Sequence, residues 1–277
     1  MVSALADVLS TTRAEGRAAL IGYLPAGYPS AAGAVDGIAA MVAAGVDVLE
    51  VGLPYSDPLM DGPTIQQAVE ASLRAGTTTD DVLETVRAVA ADGTPTLVMT
   101  YWNPIERYGP RRFADGLAAA GGAGVITPDL TPDEAAGPGT DWLAATDATG
   151  LDRVFLVAPS STDDRLRYTA DHCRGFVYAA STMGVTGARA SVGAAAARLV
   201  ERTRSVTDLP VCVGLGVSSG AQAAEVAAFA DGVIVGSAFV RVLLDAATPQ
   251  AGEKALAALA GELADGVRGT RAAAPQR

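Results

Sequence analysis

Short runs of aliphatic and β-branched residues alternate along the chain with longer stretches in which small and apolar residues recur at helical spacing. The runs predict strands over Ala18–Leu24, Val46–Val51, Thr96–Tyr101, Gly124–Ile126, Arg153–Val157, Gly175–Ala179, Pro210–Gly214 and Gly232–Val235. The stretches between them, among them Ala31–Ala44, Asp80–Ala91, Arg111–Ala120, Asp163–Cys173, Val192–Thr203 and Ala221–Ala230, predict helices. Strands separated by helices are the pattern of parallel βα units, and the chain's 277 residues are close to the ~250 of a closed eight-stranded barrel. A doubly wound open sheet is the alternative. Against it, the first βα turn, PAGYPSAAG, lacks the GxGxxG that such sheets use to hold dinucleotides. Nothing resembling a linker divides the chain. AAGPGT over Ala135–Thr140 reads as an interrupted helix or a surface insertion, and the tail GTRAAAPQR from Gly269 as frayed. The expectation is one barrel over residues 1–268 and a disordered tail over 269–277.

Composition narrows the chemistry. With 49% hydrophobic and 18% charged residues, the chain is too apolar for disorder. Its densest apolar stretch, Gly37–Val46, is closed off by Asp36 and Asp47, far short of the ~20 residues of a membrane span. The opening MVSALADVLSTTRAEG has an acid at Asp7 and lacks the basic-then-apolar order of a signal peptide. A net charge of −11 argues against nucleic acid and anionic membranes, which reward clustered cations. Cys173 and Cys212 are isolated in sequence and read as buried, reduced thiols of a cytoplasmic protein. His172 is the only histidine and Lys254 the only lysine. That leaves no good candidate for an imine-forming aldolase or a pyridoxal phosphate anchor, no Gly-Lys-Ser/Thr phosphate loop and too few histidines for a zinc hydrolase. Carboxylates, hydroxyls and backbone amides must carry whatever chemistry there is.

In parallel barrels the working groups stand at the C-terminal ends of strands and in the loops that follow. In Val46-Asp-Val-Leu-Glu-Val-Gly52, alternation puts Val46, Val48 and Glu50 on one face. A carboxyl at the last inward position of an aliphatic strand is desolvated, which raises its pKa toward the range where it both gives and takes a proton. The plainer reading is a glutamate paired with a nearby arginine. The next loop, Leu53-Pro-Tyr-Ser-Asp-Pro-Leu-Met-Asp-Gly-Pro63, is stiffened by three prolines, and folding back over the mouth would set Asp61 opposite Glu50. Such residues also populate ordinary turns. Glycine-rich turns follow late strands at Gly184–Gly187, Gly214–Gly220 and Gly236–Ser237. They fit either tight βα packing or an anion held on backbone amides and helix dipoles, and the last two loops are the frequent phosphate site of these barrels. Gly216-Val-Ser-Ser-Gly220 matches GxSxG, but a hydrolase elbow needs a downstream histidine and His172 precedes it. His172 itself reads as a packed or capping residue, and Arg111-Arg112 as a solvated helix start.

LEVGLPYSDPLMDGPTIQ (Leu49–Gln66), GVTGAR (Gly184–Arg189) and VGLGVSS (Val213–Ser219) together resemble the tryptophan synthase α-subunit family. GYLPAGYP (Gly22–Pro29), MTYWNP (Met99–Pro104), FLVAPSS (Phe155–Ser161) and DGVIVGSA (Asp231–Ala238) extend the likeness over nearly the whole chain. The resemblance implies a single (β/α)8 TIM barrel with an extra N-terminal helix and short additional helices in βα loops. It implies a lyase that splits indole-3-glycerol phosphate into indole and glyceraldehyde 3-phosphate without a cofactor of its own. Glu50 is then the acid–base group, and Asp61 stabilises the positive charge that develops at the indole N–H. Tyr178 positions Glu50, and Thr186 orders the sixth loop. Gly187, Gly216, Gly236 and Ser237 hold the phosphate, while Tyr23, Met99 and Leu215 line the indole pocket. The implied partner is the β subunit, a pyridoxal phosphate enzyme, in an αββα heterotetramer, with the loop over residues 53–60 in the contact.

Three features depart from the family pattern: Pro25 where threonine is common, Met60 in place of a smaller residue, and the AAGPGT interruption. Two alternatives keep the fold: a free-standing lyase that releases indole, and a non-catalytic activator of a β subunit. A phosphate-sugar isomerase would explain the glycine turns but not the PYSDPLMDG loop.

Overall fold

A computed structural model describes residues 3–180, 189–214 and 216–269. Nine parallel strand segments lie among them: β1 (Ala19–Pro25), β2 (Val48–Gly52), β3 (Thr96–Met99), β4 (Gly124–Ile126), β5 (Asp152–Val154), β6 (Leu156–Val157), β7 (Val177–Ala180), β8 (Val211–Gly214) and β9 (Gly232–Val235). Their hydrogen-bonded order is β5-β4-β3-β2-β1-β9-β8-β7-β6. The two outermost segments, β5 and β6, are separated by Phe155 alone. They form one bent barrel position, and the Phe155 carbonyl accepts from the Tyr178 amide across the bend at 3.2 Å. Eight positions therefore close the barrel, each within two residues of a strand that the apolar pattern predicts.

The helices are α1 (Ala4–Ala14), α2 (Ala31–Ala43), α3 (Pro63–Arg74), α4 (Thr79–Ala90), α5 (Trp102–Tyr108), α6 (Pro110–Ala119), α7 (Pro132–Ala135), α8 (Trp142–Thr149), α9 (Asp163–His172), α10 (Arg189–Arg204), α11 (Gly220–Ala227), α12 (Ser237–Leu244) and α13 (Pro249–Arg268). AAGPGT separates α7 from α8, as an interrupted helix does. The tail from residue 270 lies outside the described residues.

Two apolar cores result. The barrel interior is filled by Ala19, Ile21, Val48, Leu97, Ile126, Val154, Phe176, Cys212 and Ile234, with Leu5 and Leu9 of α1 plugging its lower end. Each plugging leucine is fully buried, a transfer worth roughly 2 kcal/mol. Ser3 caps α1 and also donates to Asp152 at 2.6 Å, fastening the plug to the barrel wall. The larger core lies between strands and outer helices.

One expectation needs correcting. Val46 does not share the inward face of Glu50. It precedes β2 and packs outward with Met41 and Phe239 around Gly22. The Asp47 carboxylate accepts the Leu20 amide at 2.8 Å and pairs with Arg17 at 2.8 Å. That turns the chain before the strand begins, so the alternation runs only from Val48.

Candidate active site

The side chains one layer above the interior core come from the same alternation. Ala19 and Ile21 point inward, so Tyr23 does too. Val48 is followed by Glu50, Leu97 by Met99, and Phe176 by Tyr178, with Met99 and Tyr178 packed on the interior core. Register sets Tyr23 beside Glu50 on neighbouring strands. Both tyrosine rings lie across glycines. A Cβ on Gly52 would stand 2.3 Å from the Tyr23 hydroxyl oxygen, and one on Gly214 would stand 2.4 Å from that of Tyr178. Only residues without side chains fit at 52 and 214, so Glu50 is the last inward side chain of β2.

Glu50 is 2% exposed, and its Oε1 has no hydrogen-bond partner among the described residues. Burial, with no ion pair among the described residues, pushes its carboxyl up to about 8. The arginine-paired reading is thereby set aside. Asp61 is half-buried in the loop after β2, and desolvation raises its pKa while contact with the Tyr101 hydroxyl opposes the rise. Tyr23 feels both carboxylates: its phenol is pushed well up by burial and then by the charges of Asp61 and Glu50. The Tyr178 phenol is raised by burial and by Glu50. Two desolvated carboxyls that act on the same buried tyrosine can pass a proton to a substrate and offset positive charge on it.

At the neighbouring late turns the helix starts differ. The first amide of α11 is occupied, because Gly220 N donates to Glu262 of α13 at 2.7 Å, and Ser219 caps the helix. α12 begins at Gly236–Ser237 with no side-chain cap. Gly216 has φ +68°, the left-handed conformation that lets a backbone turn its amides onto one point. Among the described residues, then, side chains occupy amides at the start of α11 and none does so at the start of α12, the more favourable of the two helix starts for an anion.

The family model described as tryptophan synthase alpha chain matches residues 9–268. The tryptophan synthase alpha chain of Thermobifida fusca is 60% identical over 263 residues, 94% of this chain and 96% of the relative. That of Salinispora arenicola is 60% identical over 256 residues, 92% and 94%. A structure of Mycobacterium tuberculosis tryptophan synthase superposes with a TM-score of 0.88 at 56% identity, covering 97% of this chain and 99% of the other. The chain belongs to the tryptophan synthase alpha chain family.

Of the residues that family resemblance singles out, Tyr23, Glu50, Met99 and Tyr178 stand in one layer of the barrel. Asp61 reaches the same place from its loop, and Gly216, Gly236 and Ser237 lie at the late turns. Thr186, Gly187 and Leu215 fall outside the described residues. Pro25 closes β1 opposite Gly52, and the following amide, Ala26, donates to the Gly52 carbonyl at 2.9 Å. His172 ends α9 with Nδ1 2.8 Å from the Tyr168 carbonyl oxygen and its ring beside that of Tyr168, a packing role. Cys173 and Cys212 are both free and buried.

Sequence reasoning passed over Tyr101, although it sits in the MTYWNP motif two residues beyond Met99. Its hydroxyl accepts the Met60 amide at 3.0 Å. It also passed over Arg241 of α12, which donates to Thr64 at the start of α3 and links the open helix start to the Asp61 loop. Leu59 and Met60, 78% and 53% exposed, are the large hydrophobics left uncovered among the described residues. No helix among those residues is long and apolar enough to cross a membrane.

Proposed function

We propose that this chain cleaves indole-3-glycerol phosphate to indole and glyceraldehyde 3-phosphate as the α subunit of a cytoplasmic tryptophan synthase, with Glu50 and Asp61 as its catalytic residues. The observation that carries the reading is the buried Glu50 carboxyl, unpartnered at Oε1 and held neutral up to about pH 8. A neutral acid is what protonation of indole C3 requires.

The chemistry balances within the chain's own groups. Glu50 gives its proton to C3, and the ring nitrogen takes up the positive charge. The Asp61 carboxylate stands at the N–H and offsets that charge. The Glu50 carboxylate then takes the proton of the side-chain hydroxyl. The C–O bond becomes a carbonyl, the bond to C3 breaks, and its electron pair returns to the indole ring. Glu50 is left protonated, ready for the next turnover. The indole ring serves as its own electron sink, which accounts for a retro-aldol site built without an imine lysine. Tyr178 orients Glu50, Thr186 orders the sixth loop, and Tyr23, Met99 and Leu215 line the indole pocket. Gly187, Gly216, Gly236 and Ser237 hold the phosphate, so that C3 stays in reach of the acid.

The proposed partner is a tryptophan synthase β subunit in an αββα heterotetramer. It supplies the pyridoxal phosphate and consumes the indole. The exposed Leu59 and Met60 beside Asp61 support a contact there, one that would order the loop on binding. The test is indole formation by the purified chain with and without a β subunit. Weak activity that rises sharply with the partner is expected. Full activity alone would favour a free-standing lyase, and none in either case, with the protein folded, would overturn the reading.

A further inference from the structure

The loop that carries Asp61 is fastened at two points to one side chain from another strand. Tyr101, 5% exposed, follows the end of β3. Its ring packs against that of Tyr55 with centroids 5.5 Å apart, and its hydroxyl oxygen accepts the Met60 amide at 3.0 Å. A phenol has one proton and two acceptor sites. With the amide on an acceptor site, the proton remains for the carboxylate of Asp61, the next residue along the loop, and donation from this hydroxyl works to lower the Asp61 pKa. From the other side Gln66 Nε2 donates to the Asp61 carbonyl at 2.7 Å, fixing the backbone but leaving the carboxylate to Tyr101.

We propose that Tyr101 is the positioning residue of Asp61: its hydroxyl fixes the backbone at Met60 and aims the ionised carboxylate into the barrel mouth. This rests on the reading of Asp61 given above. The residue touches no reacting atom; it acts through the carboxylate. A hydrogen bond to the charged form favours ionisation and works against the desolvation that burial imposes on Asp61. The other ionisable groups facing this place are Tyr23 from β1, which feels both carboxylates, and Glu50 from β2. Arg241 reaches the adjoining helix at Thr64. Of these, only Tyr101 is bonded to the backbone of the loop next to Asp61.

Tyr101→Phe keeps the ring stack and removes the hydroxyl. Its first readout needs no activity: the titration of the Asp61 carboxyl carbon by 13C NMR, assigned by its loss in Asp61→Asn. The midpoint is expected to rise, with about tenfold tighter proton binding. The second readout is kinetic. The rate is expected to fall most at low pH and recover as pH rises, and Tyr101→Phe should add little loss in the Asp61→Asn background. An unmoved midpoint, or an equal loss in both backgrounds, would overturn the proposal. Should the phenylalanine variant fold poorly, 3,5-difluorotyrosine at 101 keeps the ring and strengthens the donor, and it should move the midpoint down; an unmoved midpoint there overturns the proposal too. A wild-type chain inactive with its partner would sink the function while leaving the titration to decide Tyr101.

Discussion

The ring of Tyr23 lies across Gly52, so that a Cβ at residue 52 would stand 2.6 Å from two of its carbons as well as 2.3 Å from its hydroxyl oxygen. The same ring faces Gly236, where a Cβ would come within 3.4 Å of it. One aromatic side chain thus spans the distance from the acid-bearing strand to the open helix start. Gly52→Ala is expected to displace the ring and, with it, the wall between carboxylates and anion. Overpacking of this kind costs about 1–3 kcal/mol, and a misplaced wall should lower kcat/KM by at least about tenfold. Steady-state cleavage and thermal melting check this. An unchanged rate would show that Tyr23 is not needed where it stands.

Glu50 makes stability depend on pH in a direction that can be worked out. In the unfolded chain it titrates near its ordinary value, whereas in the folded chain burial raises it to about 8. Between those values the folded state holds a proton that the unfolded state has lost. Stability is therefore highest at low pH and falls as pH rises toward about 8. Glu50→Gln cannot ionise and escapes the loss, so the variant should match wild type near the ordinary value of 4.5 and exceed it by on the order of 4 kcal/mol at pH 8 and above. Urea unfolding at both ends of the range measures the difference. A pH-independent difference would remove the burial argument. The same variant should cleave at least about a thousandfold more slowly, since the amide has no proton to give.

The residues that announced themselves in sequence act through periodicity or local turn chemistry. Alternation placed Glu50 inward, and short apolar runs marked every barrel position. Val46 was misread because the feature that ends its alternation is a contact, the Asp47 carboxylate on the Leu20 amide. α3, α5, α12 and the separate pieces α7 and α8 were not singled out. α5 and α8 are short, and α3 starts inside a proline-rich loop. The closure of α11 by Glu262 joins residues 42 positions apart, and no local pattern encodes it. Tyr101 was invisible for the same reason: its work is done by a hydroxyl on an amide of a different loop.

Placing negative charge at the open helix start should compete with the phosphate. Ser237 is the first residue of α12, which lacks a side-chain cap. In Ser237→Asp the new carboxylate would occupy the amides and repel a dianion. KM for indole-3-glycerol phosphate is expected to rise at least about tenfold, with a smaller change in kcat. Since α11 is closed by Glu262, an added acid there, as in Ser218→Asp, should do less. Equal effects at the two helices would remove the distinction between them.

Leu59 and Met60 present apolar surface in a loop whose other residues between Leu53 and Gly62 are proline, serine, aspartate and tyrosine, and Leu59 is 78% exposed. Nothing within the fold rewards that exposure, so truncating it should leave the isolated chain's melting temperature unchanged or slightly raised. Against a β subunit the outcome should differ. Leu59→Ser is expected to weaken association by at least about 1 kcal/mol if the side chain is buried at the contact. The loss should appear as a reduced partner-dependent stimulation of indole formation, while the unstimulated rate stays the same. Titration calorimetry with the β subunit and the stimulated rate, measured on the same preparation, check both halves. If Leu59→Ser binds and responds like wild type, the contact lies elsewhere on the barrel mouth.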